Sequence, residues 1–151
     1  MKKQRSGPSG YFPDDCWELV FQKLREDDEC DLDSISLVSK RFFSLSNRVK
    51  HCLTVYDETI PLLPNLLRRF RHIETIVFDT FAHKDIDGLV DQISLSGVLN
   101  LQAIKFWCIS VPPRDGFKAL ASNKNIQNNL KVLDCYGLRS IQDNDLVLIA
   151  D

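Results

Sequence analysis

The sequence predicts an α+β chain in which three short helices precede a short solenoid of stacked strand-and-helix repeats, about three and a half units long. Two observations predict it. After a basic tail, roughly 40 residues carry apolar side chains at helical spacing. Beyond them, a short apolar alternation and a separate helical marker recur together with the same steps.

Residues 1–10 are basic and rich in Ser, Gly and Pro, as a tail is. Pro13 stands where a helix tolerates a missing N–H, and Asp14, Asp15 and Glu18 put negative charge at the positive end of the helix dipole. Trp17, Val20, Phe21 and Leu24 then form one apolar face of a first helix. The run Arg25 to Asp31 cannot continue that face and is expected to be a loop. Asp31 is the expected cap of a second helix carrying Leu32, Ile35, Val38 and Phe42. A third helix, Phe43 to Leu53, is expected from Leu45, Val49 and Leu53. The domain organisation expected is a tail over 1–10, a three-helix module over 11–53 and a repeat array over 54–151.

The repeat rests on Leu53-x-Val55, Ile76-x-Phe78, Ile104-x-Phe106 and Leu133-x-Cys135, separated by steps of 23, 28 and 29 residues. Leu66, Leu89, Phe117 and Leu146 each follow 13 residues later, on stretches with helical apolar spacing. A strand-then-helix unit of that length fits the leucine-rich repeat, which must stack because a single unit cannot bury both faces. The competing reading is an ordinary α/β domain. It would usually show longer Val/Ile-rich strands than the three to six residues present here.

Hydrophobic residues make up 44% of the chain and charged residues 26%, the composition of a folded domain. The formal net charge of −2 argues against a dedicated nucleic-acid binder. The five cysteines are odd in number and show no C-x-x-C spacing, and no signal peptide follows the basic N-terminus. No apolar run approaches the ~18 residues of a membrane span. These features point to a reduced intracellular setting, nucleus or cytoplasm.

Phe12-Pro13-Asp14-Asp15 with Val20-Phe21 and Leu24 resembles the opening helix of an F-box, and Ser36-Leu37-Val38-Ser39-Lys40-Arg41-Phe42 its later signature. The wording from Asp15 to Phe42 is similar to plant F-box/leucine-rich-repeat proteins. Ile141-Gln142-Asp143-x-x-Leu146-x-x-Ile149-Ala150 parallels the phrase of their cysteine-containing repeats. The chain departs from the pattern at Phe12 (usually Leu), Ser39 (often Cys) and Phe42 (Trp). Phe81, Ile109 and Leu138 stand where Asn or Cys usually bonds the turn backbone.

The resemblance implies a non-catalytic substrate receptor of an SCF-type ubiquitin ligase. Its F-box would dock on a Skp-type adaptor, and through it a cullin, while the repeats hold a target protein of unknown identity. The adaptor-facing residues implied are Phe12, Pro13, Val20, Phe21, Leu24, Ile35, Val38 and Phe42, with Phe21 and Phe42 sharing between adaptor and internal core. Two further readings stand beside this one: an interaction module acting outside a ligase, and a truncated competitor for the adaptor. Truncation is suggested by an array that stops within a repeat.

No catalytic, cofactor or metal motif is present. His51, His72 and His83 are scattered without zinc spacing, and no P-loop, G-x-S-x-G or G-x-G-x-x-G occurs. The basic run Arg68, Arg69, Arg71 and His72, with Arg48 and Lys50, reads either as a solvated helix end or as a contact for an acidic partner or phosphate.

Overall fold

The computed structural model describes residues 12–27, 29–79, 86–97 and 100–150. The tail at 1–10, Phe81 and His83 lie outside them. The chain divides into two compact units, Met1–Val49 and Lys50–Asp151.

The first unit is three helices: α1 (Asp14–Asp27), α2 (Glu29–Ser36) and α3 (Lys40–Val49). Their shared core is Phe21, Leu32, Leu45 and Val49, with Trp17, Leu24, Ile35 and Phe42 packed against it. The loop expected over Arg25–Asp31 is mostly helix. Charge ends burial but not helicity: Lys23 pairs with Glu26 at 2.7 Å, and Arg25 donates to the Val49 carbonyl at 2.8 Å. Asp31 therefore sits inside α2 rather than capping it.

The second and third helices also differ from expectation. Ser39 accepts a hydrogen bond from Phe42 N–H on its Oγ (3.1 Å) and from Phe43 N–H on its carbonyl (2.8 Å), capping α3. This cap places Phe42 in α3 and leaves Leu37 and Val38 in the turn before it. At the far end α3 stops at Val49, and Leu53 belongs to a strand.

Among its described residues the second unit holds four strands, β1 (Cys52–Val55), β2 (Thr75–Asp79), β3 (Ala103–Trp107) and β4 (Val132–Asp134), in one all-parallel sheet of order β1-β2-β3-β4. Between and after them lie a 3-10 helix (Asp57–Leu62), α4 (Leu63–Arg69), α5 (Asp87–Leu95), α6 (Arg114–Ser122), α7 (Lys124–Asn129) and α8 (Asp143–Ala150). Leu53, Ile76, Ile104 and Leu133 stand in one row of the sheet. Val55, Phe78 and Phe106 supply another inward row, in which Phe78 and Phe106 stack at 5.4 Å and Phe106 meets Phe117 of α6 edge-on at 5.7 Å.

The expected α+β architecture, a solenoid of about three and a half leucine-rich units, is corrected. The described fold is mixed α/β, with one small parallel sheet and eight α-helices. Strand length, the ground for setting the α/β reading aside, does not discriminate between the two. The strands are only three to five residues long, yet they pair into one parallel sheet. β2 buries Ile76, Val77 and Phe78 in succession, the continuous run of a parallel strand covered on both faces.

Helix-to-helix contacts in this unit are held by polar side chains reaching backbone. Asp87 accepts from Gly116 N–H at 2.8 Å, and Asn123 donates to the Ser94 carbonyl at 2.6 Å while capping α7. Ser94 in turn donates to the Ala119 carbonyl at 3.0 Å. Gly116 lies so close to Val90 that a Cβ there would stand 2.6 Å from the Val90 Cβ. A small residue is required where α5 and α6 cross.

Candidate functional site

Among its described residues the three-helix unit buries four apolar side chains fully and leaves several large ones in solvent. Of the eight residues expected to face an adaptor, Phe12, Pro13, Val20 and Val38 are exposed. Leu24, Ile35 and Phe42 are half-buried against the core. Phe21 is 1% exposed, so it acts from inside the unit as the residue the other helices close on.

An aromatic chain connects surface to core. Phe12 meets Trp17 edge-on at 5.2 Å, Trp17 lies 4.7 Å from Phe42, and Phe42 meets Phe21 at 5.2 Å and 86°. Pairs of this geometry add about 0.5–1.5 kcal/mol beyond area burial. They fix the exposed Phe12 ring on an otherwise small scaffold.

Sequence reasoning missed Leu19, Leu37 and Phe43, all exposed. Leu37, at 86%, and Val38, at 69%, occupy the turn between α2 and α3, closed by Leu37 N–H to the Ser34 carbonyl (3.2 Å) and Val38 N–H to the Ile35 carbonyl (3.0 Å). Turns usually carry Gly, Pro, Asn, Asp or Ser. A Leu-Val pair where a helix stops is the signal that was available. Leu19 lies off the Trp17–Phe21 face, and a search restricted to one apolar face passes over it.

The charged residues of this unit hold its ends together. Arg41 Nε donates to Asp14 Oδ1 at 2.7 Å and Arg41 Nη2 to the Phe12 carbonyl at 2.6 Å. Arg48 pairs with Glu18 at 2.7 Å and stands 3.7 Å from Asp14. Part-exposed pairs stabilise weakly, but the two hydrogen bonds from Arg41 set the entry angle of the segment bearing Phe12.

The second unit offers no catalytic constellation among the described residues, nor any group of three or more His, Cys, Asp or Glu placed to hold a metal ion. His51 Nδ1 stands 3.2 Å from Glu74 Oε1. Burial, with Asp134 adding to it, pushes the Cys135 thiol up to about 11, well away from reactivity. The run Arg68, Arg69, Arg71 and His72 lies at the exposed end of α4 and the turn after it. There Arg69 stands 4.7 Å and Lys50 5.7 Å from the Phe70 ring centroid.

Among the described residues no helix is long and apolar enough to cross a membrane. The chain matches no family model and no curated protein.

Proposed function

We propose that the chain is a substrate-recognition subunit of an SCF-type ubiquitin ligase. On this reading the three-helix unit docks on a Skp-type adaptor, and through it on a cullin, while the α/β unit holds a target protein. The chain supplies effective concentration between target and transferring enzyme, and none of its side chains has to act as nucleophile or acid. Such a receptor works in the nucleus or cytoplasm and needs neither nucleic acid nor a membrane.

One observation carries the reading. Among its described residues, the unit that resembles an F-box exposes Phe12, Leu19, Val20, Leu37, Val38 and Phe43 around a core of four buried side chains. A unit this small gains stability from a partner that covers such residues. Burying them would contribute about 25 cal/mol per Å² of apolar surface removed from water.

The test is capture of a purified Skp-type adaptor by the full chain, with a bound cullin scored in the same pull-down. Adaptor and cullin both retained is the expected outcome. A chain that is folded by circular dichroism yet leaves the adaptor in solution defeats the proposal.

A further inference from the structure

Between α4 and α5 of the second unit lies a groove of about 290 Å³ lined by Pro64, Leu67, Arg68, Gln92, Leu95 and Ser96. Its floor is apolar, and Leu95, the last residue of α5, stands 79% exposed at its edge. Among the described residues Arg68 is the one charged residue in the lining. Its guanidinium hydrogen-bonds Asn65 one turn earlier on α4, which orients it without neutralising it.

The α4 side of the groove is basic, whereas α5 carries Asp87 and, next to Gln92, the exposed Asp91. From Thr59 to Ile73 the sequence contains Arg68, Arg69, Arg71 and His72 and not one Asp or Glu, in a chain whose net charge is −2. Arg68, Arg69, Arg71 and His72 are all exposed. Consecutive cations repel one another, and a helix C-terminus accounts for only two of them, Arg68 and Arg69. Arginine forks are suited to carboxylates and phosphates, which they grip with paired hydrogen bonds.

We propose that this groove, with Arg68 in its lining and the basic end of α4 following it in the chain, is a docking site for an acidic peptide segment carrying one apolar anchor residue. The anchor seats on Leu67 and Leu95, and flanking carboxylates meet Arg68 and the turn at Arg71 and His72. A volume of about 290 Å³ is at the small end for a binding pocket, room for one or two side chains rather than a whole ligand. Complementary charge gives such a site its orientation and on-rate. The inference deepens the receptor reading and rests on it in one respect, since it takes the occupant to be a segment of the ubiquitination target.

The experiment pans a displayed library of random 12-residue peptides on the immobilised full chain. Enriched peptides are then synthesised and titrated by fluorescence anisotropy against the wild type, Arg68→Glu and Leu95→Ser. Both substituted side chains are exposed, so the variants keep the fold. The expected result is enrichment of an apolar residue flanked by Asp or Glu. Binding should weaken at least about tenfold in Arg68→Glu, weaken in Leu95→Ser and decline with salt.

Enrichment of neutral or basic peptides, no enrichment at all, or equal affinity for wild type and Arg68→Glu overturns the site. So does an acidic peptide that binds as well with Ala at the anchor, because charge alone then explains it. Equal binding of single-stranded DNA or anionic lipid vesicles overturns the peptide as occupant. Adaptor capture by Arg68→Glu is measured alongside and is expected to be unchanged, so failure of this site and failure of the receptor reading give different results.

Discussion

Arg114 Nε donates to Asp145 Oδ1 at 2.6 Å, joining the start of α6 to the first turn of α8. Asp145 is 3% exposed, and its other oxygen accepts the Gln142 N–H at 2.9 Å. These two bonds, the guanidinium first, hold its carboxyl below the ordinary value of 3.8. The contribution to stability is therefore fully present above pH 3.8 and is lost as pH falls through the lower folded value. Asp145→Asn is expected to lower the denaturation midpoint at neutral pH and to flatten its dependence on pH below about 4. Urea titrations of both proteins across the acid range check this, and parallel curves count against it.

Gly137 sits against the backbone of β3 and the residue after it. A Cβ there would stand 2.2 Å from the Phe106 carbonyl oxygen and 2.7 Å from Cys108 N. Gly137 N–H donates to that same Phe106 oxygen at 3.0 Å, and Gly137 O accepts from Ile109 N–H at 3.1 Å. Backbone cannot yield as a side-chain tip does, so Gly137→Ala is expected to cost about 2–4 kcal/mol. Gly88, with nothing within 4 Å of its Cβ position, is the control and should tolerate Ala. Chemical denaturation separates the two.

Within the three-helix unit, surface and core substitutions should part company. Val20→Asp with Val38→Asp changes exposed residues, so adaptor capture should be lost while circular dichroism stays unchanged. Phe21→Ala empties the core and should cost about 3–5 kcal/mol, lowering capture only through unfolding. Leu24 is half-buried against that core, so a charged residue at Leu24 would confuse the two effects. Retained capture by the folded Val20/Val38 variant removes this face from the docking surface.

The thiols should differ in reactivity. Cys108 is exposed, whereas Cys135 is half-buried with its thiol raised to about 11. Brief iodoacetamide treatment at neutral pH is expected to label Cys108 well before Cys135, read by peptide mass spectrometry. Equal labelling would mean that the Cys135 environment opens in solution.

Local apolar pattern was legible in the sequence. The alternations at Leu53, Ile76, Ile104 and Leu133 lie on the four strands, and Leu66, Leu89, Phe117 and Leu146 lie in α4, α5, α6 and α8. The same positions pair across the sheet in register, since inward residues of neighbouring parallel strands share one buried row. The architecture was not legible, because period and spacing are alike for a stacked solenoid and for a small parallel sheet covered by helices.

The exposed apolar surface of the three-helix unit was legible in part. Phe12, Val20 and Val38 are where an apolar pattern with F-box spacing puts exposed groups, yet Phe21 on the same helical face is core and Leu37 outside it is surface. Helical spacing assigns a side to each residue but does not say where a neighbouring helix ends. The Ser39 cap decides that, by stopping α2 and lifting Leu37 and Val38 into a turn.

By itself the sequence determined which segments are apolar on one side, where the strands recur and which residues begin the first helix, because these depend on neighbours a few positions apart. Only the tertiary structure decided that Asp145 meets Arg114, that Gly137 lies on the Phe106 carbonyl and that Arg68 borders an apolar groove. Those contacts join residues some 24 to 31 positions apart. Their existence depends on how helices and strands pack, which no local spacing encodes.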